Sequence, residues 1–304
     1  MVLKSFEQLI ERVKANPVPR RAAVASAGDR HTLEAVFQAT DDGLIYPLLT
    51  GEKREICAIL DKIGRSADEC DIYDEPGAEK AAERAVALVR EGRADFLIKG
   101  KLETSQLLRP VVSRETGLRR GGVMSHMAIQ TLPRYHKMIV TTDGGMLLNP
   151  TLEEKKALIR NAVEFLRAIG YENPKVAVLA ASETVNSKMQ DSLDGAELKA
   201  MNQRGEISGC IVEGPISFDL AMVKERAAAK GYESPVAGDA DILVCPSITC
   251  GNVLGKSFVE MAGAVMAGLV LGAKVPIVLT SRGSSSLEKY LSIALAAAGT
   301  GASS

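Results

Sequence analysis

A chain of 304 residues, 46% hydrophobic and 25% charged, with 27 glycines and no tryptophan, has an ordinary globular composition. That length suits one large α/β domain or two smaller ones. With 37 basic and 38 acidic side chains the net charge is −1, which excludes a global field for nucleic acid or anionic membrane and points to a small molecule held by local charge.

Phe6, Leu9, Ile10 and Val13, interrupted by Glu7 and Glu11, predict an amphipathic helix rather than a secretory signal. A small-residue buried strand is expected over 21–27, ending in Gly28-Asp29-Arg30. Helix 32–39, strand 45–49, helix 52–63, strand 70–73, helix 78–90 and strand 94–98 follow. This alternation predicts a parallel sheet covered on both faces.

The turn after that last strand is Lys99-Gly100-Lys101-Leu102-Glu103-Thr104-Ser105, leading into Arg109-Pro110. Two lysines, a glycine and two hydroxyls at the carboxyl end of a strand suit phosphate, and a solvated loop accounts for them equally well. The spacing is not that of a Walker loop. Ser125-His126 falls in the alternating stretch 123–129, where a histidine is more often a satisfied core group than a catalyst. His31 and His136 stand in polar surroundings and carry no signal.

The pattern restarts at 138–142, with a turn at Asp143-Gly144-Gly145. A capping box at Thr151 and Glu154 opens a helix carrying Leu158, Ile159, Ala162, Val163, Leu166 and Ile169, closed by Gly170. Strand 176–180 leads to a polar loop through Ser182, Asn186 and Lys188. Strand 210–212, Gly214-Pro215-Ile216-Ser217-Phe218-Asp219, helix 220–230 and strand 242–245 come next. Gly251-Asn252-Val253-Leu254-Gly255-Lys256 opens a long, glycine-spaced helix. The longest uncharged apolar run, 261–273, is too short to span a bilayer, and Gly263, Gly268 and Gly272 suit close helix packing. A soluble protein is expected.

The final strand is 276–280, followed by Ser281-Arg282-Gly283-Ser284-Ser285-Ser286-Leu287-Glu288 and a helix with Tyr290, Leu291, Ala294, Leu295 and Ala298. One arginine, four hydroxyls and one carboxylate thus sit at a strand end and a helix start, where ligands bind in open α/β sheets. A capping box of Ser285 with Glu288 is the plainer reading, and both stay open. Cys57, Cys70, Cys210, Cys245 and Cys250 are odd in number and lack C-x-x-C spacing. That argues against a disulfide framework or a structural zinc site and for reduced thiols in the cytoplasm. No Pro/Ser linker separates halves, so two domains would be interwoven.

Taken together, these stretches resemble the phosphate acetyl- and butyryltransferase family. Lys99-Gly100-Lys101 with Thr104-Ser105 and Arg109-Pro110 is similar to its G-x-x-x-T-[SA]-x-x-x-R-P segment. Gly214 to Asp219 is similar to G-P-x-x-[FL]-D. Ala237-Gly238-Asp239-Ala240-Asp241 with Gly251-Asn252 and Lys256 resembles A-G-x-A-[DN] followed by G-N-x-x-x-K, and Ser281-Arg282 resembles the S-R element. Length and Ser125-His126 bring the chain closer to the butyryl-type subgroup. Glu288 stands where the acetyltransferases usually have aspartate.

The resemblance implies the isocitrate/isopropylmalate dehydrogenase-like fold, two α/β domains with the active site in a cleft between them. The first would hold 1–134 plus 272–304 and the inserted second 135–271. It implies the reaction acyl-CoA + phosphate ⇌ acyl phosphate + CoA in a homodimer or higher homo-oligomer, without metal or redox cofactor. Glu288 would be the base, Arg282 the phosphoryl clamp and Ser281 an oxyanion donor. Lys101, Thr104, Ser105, Arg109 and Lys256 would contact phosphates, with His126 and Asn252 on the substrate. Three alternatives are kept: acetyl-CoA as substrate, a metal- and NAD-dependent decarboxylating dehydrogenase using Asp239 and Asp241, and a non-catalytic CoA-binding protein.

Overall fold

Strands form where the chain places short runs of small and β-branched residues, and the computed structural model describes residues 2–281 and 283–300. By contact the chain divides into a first unit, Phe6–Gly122 with Ala267–Ser304, and a second unit, Met1–Ser5 with Val123–Met266. The passages between them therefore stand at 5/6, 122/123 and 266/267, where the sequence suggested two, at 134/135 and 271/272.

In the first unit α1 (Phe6–Lys14) precedes β1 (Arg20–Ala25), α2 (Arg30–Asp41), β2 (Ile45–Gly51), α3 (Lys53–Lys62), β3 (Asp71–Asp74), α4 (Ala78–Arg90), β4 (Phe96–Lys99) and α5 (Thr104–Val111). Ala22, Ala23, Val24 and Ala25 are all buried, because a strand covered on both faces has no outward side to make polar. Asp29 caps α2, its carboxylate accepting from the Thr32 amide at 2.9 Å.

The second unit contains β5 (Ser125–Thr131), β6 (Ile139–Thr142), α6 (Leu152–Ala168), β7 (Lys175–Leu179), α7 (Gln190–Gln203), β8 (Ile211–Ile216), α8 (Phe218–Met222), α9 (Lys224–Ala229), β9 (Ile242–Val244) and α10 (Ile248–Ala262). The capping box of α6 forms as expected: the Glu154 amide donates to Thr151 Oγ1 and the Thr151 amide to Glu154 Oε2. The chain then returns through β10 (Val265–Leu271), β11 (Ile277–Val278) and α11 (Ser286–Gly299). Tyr290, Leu291 and Ile293 to Ala297 are buried, so α11 is apolar nearly all round and lies inside its unit.

Strand order is β3-β2-β1-β4-β11-β10 in the first unit and β5-β6-β9-β7-β8 in the second. β1, β2, β3, β4 and β11 run parallel, as do β6, β9, β7 and β8. β10 is antiparallel to β11, and β5 to β6. The parallel sheet expected from the alternation over 21–98 is present in β1 to β4, and the two antiparallel strands lie outside that stretch.

Three further expectations change. The polar loop through Ser182 leads into α7, which has no apolar stripe because Ser192, Asp194 and Gly195 lie on its buried side. Asp194 is tolerated there because the buried Lys155 Nζ donates to it at 2.7 Å. The expected helix 220–230 breaks at Val223, whose backbone is extended. The apolar run 261–273 is not a packed helix. Gly263 ends α10 in the left-handed conformation, at φ 67°, and the remainder forms the buried strand β10. Among the described residues, no helix is long and apolar enough to cross a membrane.

Candidate active site

Parallel register places the carboxyl ends of β1, β4 and β11 side by side, with Val24 opposite Ile98 and Ile98 opposite Val278. The segments leaving those ends are Ser26-Ala27, Gly100-Lys101 and Thr280-Ser281. Two of them touch through their backbones: the Gly100 amide donates to Ala25 O at 2.9 Å and the Lys101 amide to Ser26 O at 2.7 Å. A Cβ on Gly100 would stand 2.3 Å from Ser26 O, so only glycine permits the approach. Ser26 sits at φ 57°, a left-handed conformation unusual outside glycine, and its hydroxyl donates to Lys101 O at 3.1 Å. Strain at a strand end beside a lysine turn had no counterpart in the sequence pattern.

Lys101 Nζ donates to Glu55 Oε1 at 2.8 Å, and this hydrogen bond raises its pKa. Its side chain is 63% exposed, so the ion pair with Glu55 stands in solvent. Thr104 and Ser105 open α5. Arg109, further along that helix, is not drawn toward Lys101. It stands 3.8 Å from Glu79 of α4 and lines an open groove of about 890 Å³ with Arg84, Arg90, Gln106 and Ser113.

At the end of β11, Ser281 is exposed, and Arg282 lies outside the described residues. Ser285 caps α11, its hydroxyl accepting from the Glu288 amide at 3.1 Å. The Glu288 carboxylate does not complete the box. It accepts instead from the Ser284 hydroxyl at 2.7 Å, and Ser284 Oγ lies 3.3 Å from Ser281 Oγ. Ser281, Ser284 and Glu288 thus make a hydroxyl–hydroxyl–carboxylate string. Capping and a proton-accepting carboxylate are compatible, since one uses Ser285 and the other Ser284.

The second unit has its own corner at the carboxyl ends of β6 and β9. Asp143, buried after β6, accepts from the backbone amides of His126, Gly145 and Met146 at 2.8, 2.6 and 2.7 Å. Gly251, on the first turns of α10, lies so close that a Cβ would stand 2.3 Å from Asp143 O. Asn252 Nδ2 donates to Gly144 O at 3.3 Å, and Lys256 follows one turn later, exposed. His126 packs against Gly145, while the neighbouring Ser125 is buried and its Oγ accepts from Asn161. Burial holds the His126 imidazole below its ordinary pKa, against the raising effect of the Asp143 charge. Asp143 and Ser26 are the residues that sequence reasoning missed; a glycine pair after Asp143 was the one visible trace.

Asp239 and Asp241 are not free for a metal ion. Lys137 Nζ lies 2.8 Å from Asp239 and 2.7 Å from Asp241, and Asp239 also pairs with Lys175 and with His136 Nε2. Burial alone would raise the Asp239 pKa. Hydrogen bonds from Lys137, Lys175 and His136 outweigh it and hold the carboxyl well below the usual range.

The two-unit α/β frame, with its polar turns at the strand ends, is that of the phosphotransacylases. The structure superimposes on a branched-chain phosphotransacylase from Enterococcus faecalis V583 with a TM-score of 0.84 and 30% identity, covering 93% of this chain and 100% of that one. A 4-hydroxythreonine-4-phosphate dehydrogenase from Klebsiella pneumoniae shares the fold alone, at a TM-score of 0.55 and 15% identity over 91% of this chain and 98% of the other.

Residues 78–297 match the family described as phosphate acetyl/butaryl transferase, and the chain belongs to that family. It is 41% identical over 296 residues to a phosphate butyryltransferase of Clostridium acetobutylicum, covering 97% of this chain and 98% of that one. It is equally 41% identical over 292 residues to a phosphate acetyltransferase of Thermotoga maritima, covering 96% and 98%. The chain is a phosphate acyltransferase.

Proposed function

We propose that this enzyme moves short-chain acyl groups of the butyryl or branched-chain type between coenzyme A and phosphate, acyl-CoA + phosphate ⇌ acyl phosphate + CoA. The observation that carries this reading is the string of Ser281, Ser284 and Glu288, leaving β11 beside the Lys99–Lys101 turn. Toward acyl-CoA, the CoA sulfur attacks the carbonyl carbon, the C–S bond forms, and the C–O bond to phosphate breaks. The thiol proton passes to Glu288. A thiol has an ordinary pKa of about 8.5, so a carboxylate that accepts its proton raises the reactive fraction at neutral pH.

Arg282 is assigned the phosphoryl clamp, because a guanidinium gives two parallel N–H bonds where lysine gives a point charge. Ser281 and backbone amides at the start of α11 are assigned to the developing oxyanion, each such donor contributing about 2.7–4 kcal/mol. Lys101, Thr104, Ser105, Arg109 and Lys256 are assigned to the phosphates of the substrates, and Asn252 and His126 to the rest of the acyl-CoA. No metal or redox cofactor enters the scheme. The protein is assigned to the cytoplasm as a homo-oligomer. All five cysteines are free thiols, which suits a reducing compartment.

Acetyl transfer is the second reading, favoured by the equal similarity to the Thermotoga acetyltransferase. Phosphate-dependent thiol release from acetyl-, propionyl-, butyryl- and isobutyryl-CoA separates the two. Butyryl- or isobutyryl-CoA should give the highest kcat/KM, and a preference for acetyl-CoA above about tenfold would replace the butyryl reading, since one methylene is worth only about 1–3 kcal/mol. Background rates with all four would remove the transferase reading. Arg282→Ala should lower turnover by at least about 10²–10³-fold in a protein that melts normally, and near-normal turnover would remove the clamp.

A further inference from the structure

The second unit holds two thiols side by side that the acyl-transfer scheme does not use. Cys245 follows β9 directly, and its amide donates to Thr142 O at 2.7 Å, so its backbone continues the sheet. Its side chain is fully buried in a core cluster with Ile139, Leu220, Leu243 and Phe258. After Pro246 the chain turns and Ser247 caps α10. Cys250 stands on the first turn of that helix, its amide donating to Ser247 Oγ at 3.3 Å. The turn brings Cys250 back onto the same cluster, where the two thiols are hydrogen-bonded to each other.

The two sulfurs are not alike. Cys250 is half-buried, whereas Cys245 is shut away from solvent. The Cys245 S–H donates to the Cys250 sulfur and favours a thiolate there, and the helix start adds partial positive charge. Burial and the Asp191 carboxylate work the other way, yet the Cys250 pKa is lowered to about 7. Cys245 is held well above the ordinary thiol value, first by that same hydrogen bond, then by burial and by the Cys250 and Asp143 charges. A reagent arriving from solvent therefore meets Cys250 as the nucleophile, with a second thiol already in contact behind it.

We propose that Cys245 and Cys250 are a redox pair, closed to a disulfide by hydroperoxides. The Cys250 thiolate attacks one peroxide oxygen, the O–O bond breaks, and the departing oxygen takes up a proton and leaves as water or an alcohol. Cys250 is now a sulfenic acid. The Cys245 sulfur displaces its hydroxyl, the S–S bond forms, and the Cys245 proton leaves with that hydroxyl as water. Two electrons have passed from the two sulfurs to the peroxide. Burial of Cys245 is no obstacle, because the sulfur it attacks is its neighbour. Closure is protective: it removes the sulfenic acid before a second peroxide carries it to sulfinic acid, which thiols do not reverse. What is spared is a permanent charge on the first turn of α10, whose Gly251 is packed against Asp143 O.

The test treats the full-length enzyme with hydrogen peroxide at pH 7, quenches with iodoacetamide and maps the cysteines by mass. One tryptic peptide, 231–256, holds Cys245 and Cys250 and no other cysteine. In the parent it should be the main oxidised product, lighter by two hydrogen atoms, closed to iodoacetamide and restored by dithiothreitol. In Cys245→Ala the Cys250 sulfur has no partner. Dimedone should then capture a sulfenic acid there at least tenfold more than in the parent, and longer exposure should give sulfinic acid. Cys57 and Cys70 are the contrast. They are close enough for the Cys57 charge to raise the Cys70 pKa, but the Cys70 thiol donates to Ala67 O at 3.7 Å, and both should stay reduced. Three results would each overturn the proposal: sulfinic acid on Cys250 as the main product in the parent, a Cys57–Cys70 bond formed first, or unchanged thiols under peroxide that oxidises free N-acetylcysteine. The parent measurement decides alone if Cys245→Ala fails to fold.

Discussion

The two units finish their strand ends differently. In the first unit, Lys101, Ser281 and Glu288 reach partners through side chains, namely Glu55 and Ser284. In the second, Asp143 is 1% exposed and its carboxylate gathers three backbone amides. An exposed ion pair such as Lys101–Glu55 contributes about 0–1 kcal/mol, so its partners exchange cheaply. A buried carboxylate with three N–H bonds does not change partners, since each lost bond would leave a bare buried group. One corner is held by exchangeable side-chain contacts, and the other by buried bonds to the backbone.

The largest test of this contrast is Glu288→Gln. If the Glu288 carboxylate is a working base in the adaptable corner, kcat falls about 10²–10⁴-fold while the melting temperature is unchanged, because Ser285 rather than the Glu288 side chain caps α11. An active enzyme would return that carboxylate to a structural role. Next come two matched glycines, Gly100→Ala and Gly251→Ala, each placing a Cβ 2.3 Å from a backbone oxygen, Ser26 O or Asp143 O. Both should destabilise by about 1–3 kcal/mol in urea unfolding, with Gly251→Ala the costlier because the Asp143 turn cannot shift. Equal costs would break the contrast.

Much of this was legible in the chain. The βα alternation, the α6 capping box, the strand–turn–helix at Ser281 and the order of the motifs all survive, because each rests on local pattern and turn chemistry. What was hidden depends on distant partners. α7 has a polar buried side that only Lys155 makes tolerable, and periodicity cannot see Lys155 from Asp194. β10 shares one uncharged run with the end of α10, so composition alone gave no boundary. Asp143 read as an ordinary turn residue, since its value lies in the amides it collects. Asp239 and Asp241 looked like a carboxylate pair available to a cation until Lys137 and Lys175 filled the space.

Two smaller effects sharpen the picture of the second unit as the preset one. Asp239 has its folded pKa depressed, so its contribution is complete above its unfolded value of about 3.9 and is lost as pH falls from there toward the folded value. Urea midpoints at pH 7 and pH 3 should differ less in Asp239→Asn than in the parent, and an unchanged difference would remove Asp239 from the acid response. The smallest effect concerns Cys250, half-buried in α10. A hydrogen bond from Cys245 lowers its pKa to about 7, although burial opposes this. Iodoacetamide at pH 7 should label Cys250 first among the five thiols, and Cys245→Ala should slow it. Faster labelling of Cys57, the other part-exposed thiol, would count against the pairing.

The position of β11 has a consequence for synthesis on the ribosome. β4 pairs with β1 on one side and, on the other, with Ile277 and Val278, which are made only after the whole second unit. Until then the nascent first unit carries Leu97 and Ile98 on an open strand edge, and α11, whose buried face completes its core, does not yet exist. A chain stopped at Met266 would hold every residue of the Asp143 corner and none of the Ser281–Glu288 string. Growing chains should therefore need protection of the β4 edge, and activity should appear only once the last helix has left the tunnel.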